Sequence, residues 1–200
     1  MGIPVRLRLT VLCSAVHGTL LHPVMQKILK MFNPTKAKNV YLQPIKTNSM
    51  LTPKKLNWMV LWQLPSAYLC GVRTRFLNEK SCTVTVRLNR INQNPFGSLY
   101  FAVEAMAAEL STAALLLYQN EQNTTKISML IAENKCVFKQ KAIGKISFTC
   151  HQGDQVKQII QQAIASGESQ KFWLQTEGKN ENGEIVALMD FLWSIKPKQS

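Results

Sequence analysis

Residues 94–118 read "NPFGSLYFAVEAMAAELSTAALLLY". A Pro-Phe-Gly turn opens the stretch, and nearly every residue after it is apolar or small. At about 100° per residue, Leu99, Val103, Met106, Leu110, Ala113 and Leu117 share one stripe. Ala102, Ala105, Ala114 and Leu116 carry apolar character well round the cylinder. A helix that is apolar on most sides is a buried one, so the pattern predicts a central core helix over about 98–118. Two carboxylates interrupt it. Glu104 falls nearly opposite the stripe and is expected to face solvent. Glu109 falls near the stripe's edge, about 60° from Met106, where an ionised carboxylate is costly unless it is paired or has work to do. Its periodicity alone favours a partly solvated residue paired with Arg73 or Arg75.

The flanks of this helix read as a sheet. Upstream, Thr52 caps a short helix with Pro53 at its first position and Leu56, Met59 and Val60 on one face. Residues 71–90 then form two strands joined by the polar Asn78–Ser81 turn. Downstream, strand-like runs at about 127–139 and 144–151 flank the Lys139–Gly144 loop. The stretch from Asp154 to Gly167 repeats Val156, Ile159, Ile160, Ala163 and Ile164 at helical spacing. A hairpin around Asn182-Gly183 closes the chain, with Ile185, Ala187, Met189, Phe191, Trp193 and Ile195 alternating onto one face. Hairpin connections imply an antiparallel sheet and an α+β fold over residues 51–200.

The chain of 200 residues holds 24 Lys and Arg against 11 Asp and Glu, a net charge of +13. This excess sits at one end. From Met1 to Asn78 there are eleven basic residues and no acidic one, whereas the remainder carries thirteen basic and eleven acidic, a surplus of two. The domain itself is nearly balanced and shows no aromatic-plus-basic strand face, so no specific nucleic-acid partner is expected. Residues 1–50 are read as a basic extension, dispensable for folding. Its first 21 residues have the outline of a signal peptide interrupted by His17, and "PVMQKILKMF" could touch an anionic membrane as an amphipathic piece. Five widely spaced cysteines with no Cys-x-x-Cys pair signal neither a zinc site nor a disulfide framework. Reduced thiols and a cytoplasmic location follow as the plain expectation, with no metal and no cofactor.

A buried central helix wrapped by antiparallel strands, entered through Asn-x-x-Gly and carrying a carboxylate some three turns in, resembles the hotdog-fold thioesterase superfamily. The resemblance covers about residues 52–197 and is strongest to the phenylacetate-pathway thioesterases and related thioesterase-like domains. That family's motif is Asn, two residues, Gly, two residues, then His-Gly-Gly, with an acidic residue nine positions after the His. Asn94 and Gly97 match, Tyr100-Phe101-Ala102 stand where His-Gly-Gly would, and Glu109 holds the acidic place.

The resemblance implies an α+β hotdog fold, an acyl-CoA or related thioester substrate, and a homodimer or homotetramer with sites shared between subunits. It makes a working role for Glu109 the better reading. The helix N-terminus, through the amides of Phe101 or Ala102, would polarise the thioester carbonyl. Glu109 from the other subunit would act as general base or as nucleophile, ionised near neutral pH because helix and Arg neighbours offset its burial. Asn94 would orient the water or the carboxylate. Tyr100 would offer a hydrogen bond in place of the family's His, or simply pack. Phe101 and Ala102 put bulk where the family keeps glycine, which leaves a non-catalytic hotdog module, binding acyl groups or serving dimerisation, as the alternative.

Overall fold

The computed structural model describes residues 51–198, so the expectations for residues 1–50 lie outside the described chain. Helix α1 (Pro53–Gln63) and the short α2 (Pro65–Leu69) lead into β1 (Arg73–Leu77) and β2 (Cys82–Arg87). The long helix α3 (Phe101–Glu121) follows, then β3 (Ile127–Phe138), β4 (Lys145–Cys150), α4 (Gly153–Ser166), β5 (Gln170–Lys179) and β6 (Ile185–Pro197). All six strands form one antiparallel sheet in the order β1-β2-β4-β5-β6-β3. The insertion of β3 beyond β6 puts β1 and β3 at opposite edges.

Local chemistry accounts for the element ends. Thr52 accepts from the Lys55 amide at 3.4 Å and Pro53 opens α1. In the β1–β2 turn the Asn78 side-chain oxygen accepts from the amides of Lys80 and Ser81. Gly167 ends α4 at φ +72°, a left-handed conformation that suits glycine. The β5–β6 hairpin bends through Gly183 at φ +83°, with Asn180 Oδ1 accepting from the amides of Asn182 and Glu184. On β6 the expected face is buried from Ala187 to Ile195, but Ile185 is exposed because the ladder slips between Gly178 and Lys179.

The sheet wraps α3, which packs against β2, β4 and β5 and also meets β1, β6 and α4. It is the helix among the described residues that is long and apolar enough to cross a bilayer, yet most of it lies in the protein core. Its polar groups bind the sheet. Ser111 Oγ donates to Ala108 O at 2.7 Å and pairs with Thr176 Oγ1 on β5 at 2.9 Å. Trp193 Nε1 on β6 donates to Thr112 Oγ1 at 3.1 Å, and Thr112 Oγ1 donates to Glu109 O at 2.8 Å. At the far end, Asn120 Oδ1 accepts from the Ile127 amide and so joins the helix to β3.

Two sequence expectations about α3 are corrected. The helix starts at Phe101 rather than near residue 98, because Leu99 is extended core, bridged to Gln93 and bonded through its amide to Ala142 O. The orientation also differs. Val103, Glu104, Ala107, Ala108, Ser111, Ala114 and Leu115 are buried, while Ala102, Ala105, Met106 and Glu109 are only half-buried. The side expected to face solvent therefore faces the sheet, and Glu104 is 5% exposed with Oε2 lacking any hydrogen-bond partner. A curved sheet covers more of a helix than the apolar stripe marks out, so periodicity could not show which arc stays open.

Burial pushes the Glu104 carboxyl from 4.5 up to about 7. A raised folded pKa means that the folded state holds the proton more tightly than the unfolded one. Glu104 therefore costs no stability below about 4.5, an increasing amount as pH rises from there to about 7, and its full penalty above. At about 1.4 kcal/mol per pKa unit, that penalty is a few kcal/mol. Glu104→Gln should raise the thermal unfolding midpoint at pH 8 and lose most of this advantage at pH 4.5. Calorimetry on both proteins at the two pH values checks it, and an equal effect at both would show that Glu104 does not titrate across this range.

Candidate functional site

The sequence from Asn89 to Tyr100 builds the approach to α3. Asn92 anchors it, donating through Nδ2 to Cys70 O at 2.8 Å and Arg87 O at 2.9 Å while its oxygen accepts from the Asn89 amide. Asn94 folds the next turn around itself. Its Oδ1 accepts from the amides of Phe96 and Ser98, and its Nδ2 donates to Ser98 Oγ at 2.9 Å and Leu99 O at 3.0 Å. Both amide hydrogens and the oxygen are thus spent on the loop. Where the resemblance implied that Asn94 orients a water or a carboxylate, its side chain here shapes the turn that delivers α3. Gly97 completes that turn at φ +78°, a conformation glycine takes without strain.

The turn ends at Tyr100, the extended residue before α3, whose side chain makes no capping bond. Val103 and Glu104 direct their amides to Tyr100 O, so the N–H groups of Phe101 and Ala102 open the helix without an acceptor among the described residues. The Tyr100 and Phe101 rings meet edge to face, 5.0 Å between centroids, and both are exposed. Phe96 and Ile143 are exposed too, and the loops that carry them are joined where Leu99 N bonds Ala142 O and Lys141 Nζ donates to Phe96 O at 3.3 Å. This end of α3 is therefore a helix N-terminus with no side-chain cap, opened by the exposed rings of Tyr100 and Phe101.

Glu109 lies two turns further along, on the half-buried seam with Ala102, Ala105 and Met106. The seam narrows beyond it, where Leu110 to Leu116 are all buried. The bond from Thr112, itself tied to Trp193, holds the backbone at Glu109. Neither expected arginine reaches its carboxyl. Arg73 donates to Tyr68 O and Val72 O with its guanidinium 3.4 Å above the Tyr68 ring, and Arg75 Nε donates to Thr85 Oγ1. With no cation among the described residues to offset it, burial pushes Glu109 from 4.5 up to about 7. The expectation that charged neighbours balance burial is overturned.

Two carboxyls on one helix thus share a raised pKa but not a setting, for Glu104 is sealed against the sheet and Glu109 borders the open seam. The sequence reading missed the role of Glu104 and the anchors Ser111, Thr112 and Trp193. The small polar residues two and three places after Glu109 were the available signal. Among the described residues no three His, Cys, Asp or Glu side chains gather as a metal site, and Cys70, Cys82, Cys136 and Cys150 are free thiols.

No protein-family model matches the chain, and no curated protein matches it. Solved structures do. One is a Pseudomonas aeruginosa protein of unknown function described as a probable thioesterase, 21% identical, with a TM-score of 0.63 over 74% of this chain and 99% of that one. A mutant thioesterase from the same species is 14% identical, TM-score 0.58, over 76% of this chain and 98% of that one. A Haemophilus influenzae thioesterase is 13% identical, TM-score 0.54, over 74% of this chain and 93% of that one. At these identities the likeness speaks for the fold. The wrapped antiparallel sheet, the buried central helix and these neighbours together show that the chain has the α+β hotdog fold.

Proposed function

We propose that the protein hydrolyses an acyl thioester, with Glu109 as the carboxyl that drives the reaction. The observation that carries this reading is the placement of Glu109. It stands on the half-buried side of α3, has no ion-pair partner among the described residues, and is pushed by burial up to about 7. A base poised near working pH is the efficient one. The thioester carbonyl would rest against the free amides of Phe101 and Ala102, where the helix N-terminus favours developing negative charge. Glu109 takes a proton from water, the hydroxide oxygen bonds to the carbonyl carbon, and collapse of the oxyanion breaks the C–S bond. The departing thiolate recovers the proton from Glu109. Direct attack by Glu109, giving an anhydride that water then cleaves, is the other route to the same products.

The same geometry favours a shared site. Ala102 and Glu109 are seven residues apart on α3, about 10 Å along the axis, too far for one helix to hold the carbonyl and attack it. A second copy supplies the other half. The exposed edge strand β3, twelve residues long, offers an unpaired ladder for that contact. The ammonium of Lys141 beside the α3 entrance suits the phosphates of coenzyme A. Asn94 favours the second reading, a hotdog module that binds acyl groups without cleaving them, because its side chain has nothing left for a water.

Glu109→Gln keeps the shape but cannot take a proton. Assayed on a panel of acyl-CoA thioesters, it should lower kcat roughly 10²–10⁴-fold while acyl-CoA binding persists. The surface control Glu168→Gln should match the parent. Because only ionised Glu109 is a base, parent kcat/KM should climb with pH up to about 7 and level off above it. A parent that binds but cleaves no thioester sinks the hydrolase reading in favour of the binding module. Light scattering at micromolar concentration should give a dimer or larger mass, and a fully active monomer would exclude the shared site.

A further inference from the structure

The two loops joined at the head of α3 carry side chains that the proposed chemistry leaves unused. Ile91 is 73% and Phe96 77% exposed on the loop that enters α3, and Phe101 and Ile143 are exposed too. The chain does not let these residues collapse inward. Asn89 Oδ1 accepts from the Ile91 amide at 2.8 Å, Asn92 ties the loop to Cys70 O and Arg87 O, and Asn94 holds the Phe96 amide. Three asparagine side chains thus fix a loop whose large apolar residues stay in solvent. Such a display is costly for the free protein, but a fixed one suits a partner because little ordering entropy remains to be lost on docking.

The charge on these loops has one sign. Residues 87–103 and 138–145 hold Arg87, Arg90, Lys139, Lys141 and Lys145 and no acidic residue. Glu181 and Glu184 stand on the adjoining β5–β6 turn. Glu181 accepts from Arg87 at 3.0 Å and from the Lys145 amide, and Glu184 accepts from Asn180. Five cations against these two carboxylates leave an excess of three, and the exposed Arg90, Lys139 and Lys141 have no carboxylate in ion-pair reach among the described residues. A second copy seated here would bring like charges together, and a nucleotide has one base to set against several apolar side chains. A bilayer would strand the exposed amides of Asn89, Gln93 and Gln140. An acidic protein surface meets the charge, the apolar contact and the hydrogen bonds together. The loop leads to the first amides of α3, which have no acceptor among the described residues. We propose that these loops dock an acidic carrier protein that delivers the acyl group as a thioester on a flexible arm. The cargo rests on the thioester reading above; the docking does not.

The probe is an acidic carrier protein loaded with an octanoyl group on its phosphopantetheine arm. It is titrated calorimetrically into the full chain bearing Glu109→Gln, so that the thioester survives. It should bind, and more weakly as salt rises. Adding Arg90→Glu with Lys139→Glu should weaken binding about tenfold or more, and so should Ile91→Ser with Phe96→Ser. Each pair should leave the unfolding midpoint unchanged, because all four side chains are exposed. Lys157→Glu, exposed on α4, should leave binding as it was. No carrier binding, or a charge reversal that weakens octanoyl-CoA equally and so makes the cations a nucleotide site, overturns the proposal. So does sedimentation with phosphatidylserine vesicles in preference to the carrier, or a fall in oligomer mass for either pair, which would make the face a lipid or a subunit contact. A parent that binds the carrier yet cleaves no thioester upholds the docking and sinks the hydrolase reading alone.

Discussion

The structure depends on covering α3. A helix of 21 residues that is apolar almost all round cannot stand at the surface, so the antiparallel sheet must curve about it. Hydrophobic contact drives the wrapping but does not set the helix's rotation. The directional contacts do that. Trp193 on β6 grips Thr112, Thr176 on β5 pairs with Ser111, and Asn120 ties the C-terminal end to Ile127. Each bond satisfies a buried polar group that would otherwise be a liability. Together they decide that the arc of Ala102, Ala105, Met106 and Glu109 stays open and that the arc of Glu104 closes.

Rotation gives the two carboxyls their different settings. Neither has a cation among the described residues, and desolvation pushes both to about 7. For Glu104 the consequence is a stability cost above acid pH, since no outside partner can reach a sealed group. Glu109 carries the same shift on the half-buried side of α3, which is what makes it the candidate in the proposed reaction. A carboxyl with the right pKa becomes a candidate base only where something can approach it.

Asn94 illustrates how one residue can look catalytic and yet be architectural. Four hydrogen bonds bind its side chain into the turn that brings Tyr100 to the head of α3. The turn leaves the first amides of α3 without an acceptor among the described residues. Its contribution to the proposed chemistry is therefore the placing of those donors. The separation along α3 between the donors and Glu109 is what makes a second copy part of the proposed site, and the bare β3 edge is where the fold has room for one.

Local patterns were enough for the elements. Thr52-Pro53 started a helix, Asn78–Ser81 and Asn180–Glu184 turned two hairpins, and the repeat from Val156 to Ala163 marked α4. The apolar density of residues 98–118 pointed to a core helix, and Asn-x-x-Gly with a downstream carboxylate pointed to the fold, because neighbours in the chain suffice for such signals. Which side of α3 lay open did not follow from them. Residues far apart in sequence settled it: Trp193, Thr176 and the curl of the sheet buried Glu104, and Arg73 and Arg75 went to Tyr68 and Thr85 rather than to Glu109. The sequence by itself determined that a carboxylate stood on a core helix; only the tertiary structure decided its exposure and its charge, since desolvation and ion pairing depend on which distant groups come within reach.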